Sequence, residues 1–173
     1  MKQHKKIVLI GPESTGKTTL AKALAAHYQT IWVAEFARTY IDQLQRPYEE
    51  SDLLEIATGQ IALEENALQK HSSPVFFDTD LIVLKIWSLN SYGHCAVPIL
   101  KQIEQRNYDL YLLCGTDIPW EYDPQREHPH LRDHFYEIYK KELQQYQKPF
   151  IEIKGDQKSR LKQAINAIDL IKK

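Results

Sequence analysis

Short apolar runs alternate along the chain with longer segments that have helical periodicity. Each run is continuous rather than alternating and is bounded by polar or turn residues, which predicts a strand buried on both faces. The predicted strands cover residues 7–10, 30–34, 74–77, 108–114 and 150–153. The order of strands and helices is the main guide to the fold.

The intervening segments carry helix formers or apolar residues at helical spacing, and they predict helices. The longest, from about 49 to 70, has one predicted buried stripe, formed by Leu54, Ala57, Ile61 and Leu68. Asp156 is placed to cap the last helix, whose inward face is predicted to carry Leu161, Ile165, Ile168 and Ile171. The other predicted helices cover about 19–26, a short segment after 35, 81–89, 98–106 and 131–146.

Strands that alternate with helices indicate an α/β protein with a five-stranded parallel sheet and helices on both faces. No repeat or low-complexity segment divides the chain, so we expect a single domain over residues 1–173. In such a sheet, ligands bind at the carboxyl ends of the strands. The segments that follow the first four strands should therefore form one crevice.

Residues 11–18, Gly-Pro-Glu-Ser-Thr-Gly-Lys-Thr, match the phosphate-binding loop G-x-x-x-x-G-K-[ST]. We call this segment the phosphate loop; it lies between the first strand and the first helix, as the motif requires. Gly11 and Gly16 let the backbone approach phosphate oxygens, and amides at a helix start bind anions. The loop predicts a P-loop NTPase fold that binds ATP, with the phosphates held by Gly11, Glu13, Ser14, Thr15, Gly16, Lys17, Thr18 and Thr19.

Carboxylates follow the second and third predicted strands. Asp78 has the position of a Walker-B aspartate, so Thr18 and Asp78 are the predicted Mg²⁺ ligands; the alternative for Asp78 is a helix cap. Glu35 is our first choice for the base that deprotonates the acceptor hydroxyl, and its alternative is a solvated carboxylate at a strand end. Asp80 is the second choice, and it could instead cap the next helix.

Residues 115–132, which we call the lid, are rich in proline, charge and aromatic side chains. In phosphoryl transfer a mobile arginine neutralises charge and a closing lid excludes water. Arg126 and Arg132 are the candidates for that arginine, and Trp120 could stack on a base. The alternative is an ordered loop packed by its own aromatic side chains.

Composition narrows the possible partners. The net charge of −1 gives no general attraction to nucleic acid or acidic membranes, and no apolar run approaches the ~20 residues that span a bilayer. Cys95 and Cys114 provide neither a disulfide framework nor a metal-binding spacing. We expect a cytoplasmic protein that acts on a small molecule, with its oligomeric state open.

Four segments together resemble the ribosylnicotinamide kinase domain of the NadR family. They are residues 11–19, 35–40 (Glu-Phe-Ala-Arg-Thr-Tyr), 77–80 (Phe-Asp-Thr-Asp) and 117–126 (Asp-Ile-Pro-Trp-Glu-Tyr-Asp-Pro-Gln-Arg). The resemblance implies ATP- and Mg²⁺-dependent phosphorylation of the ribose 5′-hydroxyl of nicotinamide riboside, giving the mononucleotide. Full-length members carry a regulator and an adenylyltransferase domain ahead of the kinase; the first predicted strand here lies near Met1, so those activities are not expected.

With this activity, each candidate residue has an expected role. The expected catalytic residues are Lys17, Glu35, Asp80, Arg126 and Arg132. Asp80 is better placed to bind ribose hydroxyls than to act as the base. The expected substrate-binding residues are Glu35, Arg38, Tyr40, Asp80, Trp87, Trp120 and Asp123.

Two other functions stay open at this point. A deoxynucleoside or nucleoside monophosphate kinase would use the same architecture with a different acceptor pocket. A non-catalytic nucleotide-binding regulator, such as a GTPase-like switch, needs Asn-Lys-x-Asp after a strand. The nearest match, residues 166–169, lacks the lysine and lies in the last predicted helix.

Overall fold

A computed structural model describes residues 5–70, 73–126 and 128–171. The ends of the predicted 1–173 domain and residue 127 of the lid lie outside these ranges. Within them, five strands form one sheet: β1 Lys6–Ile10, β2 Trp32–Val33, β3 Val75–Asp78, β4 Leu110–Cys114 and β5 Phe150–Ile153. Their order is β2-β3-β1-β4-β5, and every neighbouring pair is parallel. The predicted five-stranded parallel sheet is confirmed.

Seven helices connect and cover these strands in the described residues. The phosphate loop leads directly into the first of them, and the lid leads into the sixth. They are α1 Lys17–His27, α2 Phe36–Gln43, α3 Glu50–Lys70, α4 Leu81–Tyr92, α5 Val97–Gln105, α6 Arg132–Gln145 and α7 Gln157–Leu170.

The central strand β1 shows why helices lie on both faces. Ile7 and Leu9 pack into one apolar layer with residues of α1 and α7. Val8 and Ile10 point the other way, into a larger layer with residues of α3 to α6. Successive side chains of a strand alternate between faces, so a strand that is apolar throughout must be covered on both. The prediction of helices on both faces is confirmed.

The predicted stripe of α3 is wrong at Leu54, which is 41% exposed. The buried face contains Leu53 and Ile56 and continues through Gln60 and Glu64, both of which are fully enclosed. These polar residues interrupt the apolar pattern from which the stripe was predicted. Ile61 and Leu68 are partly buried against the core.

The start of α2 is held against α3 by two features of α3. The Gln60 Oε1 atom accepts a hydrogen bond from the Phe36 backbone N–H at 2.9 Å. Gly59 lies directly beneath the Phe36 ring, and a Cβ added there would be 2.1 Å from Phe36 Cε1. The absence of a side chain at residue 59 therefore sets how closely α2 approaches α3.

Gln60 is also part of a buried polar cluster. Its amide donates to Glu64, which also accepts hydrogen bonds from Arg106 at 2.5 Å and from the Tyr108 hydroxyl at 2.6 Å. A buried carboxylate is tolerated when donors satisfy its oxygens. This cluster joins α3 to the segment that precedes β4.

No helix among the described residues has the length and apolar composition needed to cross a membrane.

Candidate active site

A cavity of about 500 Å³ opens at the carboxyl end of the sheet. Its walls come from the phosphate loop, the segments after β2 and β3, α4, the lid, α6 and the start of α7. The residues that line this cavity include Glu13, Lys17, Glu35, Arg38, Thr79, Trp87, Gln125, Arg126, Tyr139 and Arg160. The predicted crevice at the strand ends is present.

The phosphate loop passes close to the end of β4 at Gly11. Gly11 has φ 140°, and a Cβ there would lie 2.7 Å from the Cys114 carbonyl oxygen, so only glycine is accommodated. Lys17 Nζ donates to the carbonyls of Gly11 at 2.9 Å and Pro12 at 2.7 Å. Gly16 caps α1 without a side chain, which leaves the first-turn N–H groups available for phosphate oxygens.

Arg160 of α7 braces this loop, and the sequence analysis missed it. Its buried guanidinium donates to the carbonyl oxygens of Thr15 at 2.9 Å and Gly115 at 3.1 Å, and to Asp117 at 2.6 Å. Nε donates to the Gly155 carbonyl at 2.7 Å. Arg160 lies four and eight residues before Ala164 and Ile168, the other buried residues of α7, and a charge at that spacing is the sequence signal that could have identified it.

Asp78 and Thr18 lie together, as predicted for the metal site. The Thr18 hydroxyl donates to Asp78 Oδ2 at 2.5 Å. Burial raises the pKa of Asp78, while Lys17 and the Thr18 hydroxyl oppose that rise. Across the described residues, the other Asp78 oxygen and the Thr79 hydroxyl are buried without a hydrogen-bond partner. Hard oxygen donors that are not already satisfied fit a Mg²⁺ ion.

Glu35 lies on the cavity wall between β2 and α2, and its side chain is 18% exposed. Burial raises its pKa; Lys17 and Arg38 act in the opposite direction, and Asp78 and Glu13 add to the rise. The nearest guanidinium atom, Arg38 Nε, is 3.7 Å from Glu35 Oε2. A carboxylate with an elevated pKa beside a phosphate site has the properties of a general base.

Asp80 requires a correction, because the structure directs it into the core. It is only 4% exposed, Oδ1 accepts from the Ile82 N–H at 3.0 Å, and Oδ2 accepts from the Tyr111 hydroxyl at 2.9 Å. Burial raises its pKa to about 7. Thr79 lines the cavity with φ 79°, and the chain then turns Asp80 to the opposite side. Asp80 is the cap of α4, so its geometry does not support the expected roles as second base and ribose ligand.

The two lid arginines also differ from expectation. Arg126 lines the cavity and donates to the Glu121 carbonyl. Arg132, the first residue of α6, donates to the carbonyls of Ser14 at 3.1 Å and Ile118 at 2.9 Å. It therefore braces the lid against the phosphate loop, and of the pair only Arg126 keeps the position expected of a transition-state arginine.

Some of the expected substrate-binding residues line the cavity, and others make contacts elsewhere. Arg38 and Trp87 line the cavity, with Trp87 stacked on Tyr48 at 5.8 Å between ring centroids. Tyr40 instead donates to Asp52 of α3 at 2.9 Å, because it lies on the face of α2 that packs on α3. The Trp120 ring is near the guanidinium groups of both lid arginines, at 6.0 and 5.9 Å. Asp123 contacts Arg38, as described below.

A parallel sheet with a phosphate loop after its central strand, a buried aspartate after the neighbouring strand and a lid after β4 defines a P-loop nucleotide-binding protein with a kinase-like fold. Comparison with known proteins agrees with this class. A family model described as an AAA domain matches residues 6–160, and the chain belongs to that family.

Two curated relatives support the predicted resemblance to the NadR family. The chain is 27% identical over 123 residues to the trifunctional NAD biosynthesis/regulator protein NadR of Salmonella typhimurium and to that of Escherichia coli. Each match covers 68% of this chain and 30% of the relative, so the chain spans less than a third of these proteins.

Solved structures share the fold. A NadR protein in complex with NR superposes with a TM-score of 0.74 at 22% identity, over 97% of this chain and 51% of that one. A deoxyadenosine kinase from M. mycoides gives 0.67 at 14% identity, over 95% and 98%. The P-loop kinase fold is confirmed, and the resemblance to NadR with it.

Proposed function

We propose that this chain is an ATP-dependent kinase that phosphorylates the ribose 5′-hydroxyl of nicotinamide riboside. The observation that carries the proposal is the position of Glu35, which faces the phosphate loop across one cavity and has a raised pKa. The similarity to NadR proteins, one of which is solved in complex with NR, supports nicotinamide riboside as the acceptor.

The phosphate loop holds the nucleotide in this proposal. Amides of the loop and of the first turn of α1 bind phosphate oxygens, and Lys17 exchanges its bonds to the Gly11 and Pro12 carbonyls for bonds to the terminal phosphates. Arg160 keeps the loop fixed to β4 and α7 while this happens. The fold therefore fixes the conformation of the loop before the substrate binds, so less conformational entropy is lost on binding.

Thr18 and Asp78 are the residues that would hold Mg²⁺. When bound there, the ion supplies charge neutralisation between the phosphates of ATP. Burial of the Asp78 carboxylate, with one oxygen lacking a partner among the described residues, supports this assignment.

Glu35 accepts the proton of the acceptor hydroxyl. The hydroxyl oxygen then forms a bond to the γ-phosphorus as the bond to the bridging oxygen of ATP breaks, and ADP leaves. The raised pKa makes Glu35 a stronger base than an exposed glutamate. Arg38 and Trp87 supply the acceptor wall beside it, and Arg126 lies over the cavity from the lid.

The test is a coupled assay of ADP release with nicotinamide riboside, purine and pyrimidine nucleosides, their deoxy forms and their monophosphates. The proposal expects the highest kcat/KM with nicotinamide riboside. A higher value with a deoxynucleoside or a monophosphate would reassign the acceptor, and the end-to-end likeness to deoxyadenosine kinase makes deoxynucleosides the strictest comparison.

A matched control is the Lys17→Ala variant, which removes phosphate charge neutralisation without changing core packing. It should retain the wild-type melting temperature and lose turnover with every acceptor. ATP binding by the wild type without turnover of any acceptor would instead indicate a nucleotide-binding regulator.

A further inference from the structure

Arg38 lies between the lid and the proposed base. Its NH1 donates to Asp123 Oδ2 of the lid at 2.8 Å, while Nε is 3.7 Å from Glu35 Oε2. The Asp123 contact has the length of a strong charge-assisted hydrogen bond, and the Glu35 contact is longer than a hydrogen bond. One guanidinium is therefore shared unequally between two carboxylates.

The lid holds Asp123 in place for this contact. Asp123 Oδ1 accepts from the Gln125 backbone N–H at 2.9 Å, which closes a local turn. The Gln125 side-chain amide reaches back to α2, where it donates to the Arg38 carbonyl at 3.4 Å and to Asp42. The lid thus contacts both the backbone and the side chain of Arg38.

Several charged or titratable groups act on Glu35. They come from separate elements: Lys17 from α1, Glu13 from the phosphate loop, Asp78 from β3, Arg38 from α2 and Tyr139 from α6. Of these, Arg38 is the cation in contact with the lid. A guanidinium that closed on Glu35 with two hydrogen bonds would occupy the oxygens that a base needs.

We propose that Asp123 and Arg38 form a positioning pair: with the lid against α2, Asp123 holds the guanidinium away from Glu35 and leaves that carboxylate free for the acceptor hydroxyl. Displacement of the lid releases Arg38 to pair with Glu35 and suppresses the base. Transfer is thereby restricted to the closed cavity. This inference rests on the proposed role of Glu35.

The first test is a double-mutant cycle on kcat with Asp123→Asn, Arg38→Gln and the double variant. Asp123→Asn should lower kcat about tenfold, within the coupling expected of contacting residues, with KM for ATP little changed. In the Arg38→Gln background the same change should have no further effect. Additive losses would overturn the proposal. Asp42→Asn removes a carboxylate charge from another lid contact on α2 that has no route to Glu35, so it is the charge-matched control and should keep the wild-type kcat.

The second test needs no activity, so it separates this inference from the proposed function. The Glu35 carboxyl is titrated by ¹³C NMR, with its signal assigned from Glu35→Gln. Release of Arg38 favours the charged carboxylate, so the pKa of Glu35 should fall in Asp123→Asn, stay unchanged in Asp42→Asn, and not respond to Asp123→Asn once Arg38 is glutamine. An equal fall with and without Arg38 would show a long-range effect of charge at 123, and an unchanged pKa would exclude the pair.

Discussion

Glu35 and Asp80 are two carboxylates in equivalent local settings with opposite surroundings. Each follows a parallel strand and precedes a helix, and burial raises the pKa of both. Asp80 has a donor on each oxygen, from Ile82 and Tyr111, whereas Glu35 makes no capping hydrogen bond to α2 and lies on the cavity wall. Whether a carboxylate is available for chemistry therefore depends on the hydrogen-bond donors around it and not on its place in the chain.

The sheet explains the difference. β3 lies between β2 and β1, so the chain that leaves β3 crosses the middle of the molecule and α4 packs into the larger apolar layer. β2 is an edge strand of two residues, and the chain that leaves it reaches the rim of the cavity. Sheet position thus separates two acids that the sequence presents in the same way.

The largest expected effect comes from Glu35→Gln, which keeps the shape of the side chain and removes its charge. It should lower kcat by roughly 10²–10⁴, the range of a general base, with a smaller change in KM. Steady-state kinetics with nicotinamide riboside and ATP measure this. Because a buried neutral amide avoids the cost of burying charge, the melting temperature should not fall. A variant with wild-type kcat would remove the distinction between the two acids.

Asp80→Asn should change stability rather than chemistry, in a pH-dependent way. The folded pKa of about 7 exceeds the unfolded value, so the stabilisation from this group is complete at low pH and is lost as pH rises toward 7. Asparagine lacks this titration, so relative to wild type the variant should gain about 2 kcal/mol of unfolding free energy between about pH 5 and 8. Urea denaturation at both pH values measures the gain, and kcat should stay near wild type.

The result that contradicts this assignment is equally direct. A collapse of kcat in Asp80→Asn, with Glu35→Gln nearly unaffected, would exchange the two roles. Stability curves that run parallel at pH 5 and pH 8 would show that Asp80 is ionised in both states.

Asp78→Asn tests whether Asp78, at the end of β3, binds the metal while Asp80, two residues later, belongs to the core. The concentration of Mg²⁺ at half-maximal activity should rise about tenfold or more, since a ligand carboxylate is lost, with a smaller effect on ATP affinity. A Mg²⁺ titration of activity at saturating ATP measures it. An unchanged half-saturation would limit Asp78 to holding the Thr18 hydroxyl.

Tyr111→Phe should give the smallest effect. It removes one donor from a buried Asp80 oxygen, while the Ile82 N–H still binds the other oxygen. We expect the unfolding free energy to fall by about 1 kcal/mol, the lower end of the range for a buried acceptor that loses its donor. Denaturation at constant pH measures this, and kcat should be unchanged. Loss of activity without loss of stability would connect Asp80 to the cavity after all.

Local pattern was enough to predict the sheet, the phosphate loop and the pairing of Thr18 with Asp78. Those features depend on residues that are close in sequence or on the rule that parallel strand ends meet at one edge. The sequence left Asp80 open between a role in the cavity and a helix cap, and the structure shows the cap. Pattern could not decide between them, because the orientation depends on a positive φ at Thr79, a β-branched residue, and on a hydroxyl from β4. The contacts of Arg132 with Ser14 and of Arg160 with Thr15 likewise join residues more than a hundred positions apart.

Gly59 has a consequence for redesign of the cavity. Any side chain at this position would meet the Phe36 ring, and Phe36 is bonded to Glu35 in the chain. A larger residue would tilt the start of α2 and carry the carboxylate with it. A glycine inside a neighbouring helix thus sets the depth of one cavity wall, and selection at position 59 together with Phe36 offers a route to resizing it.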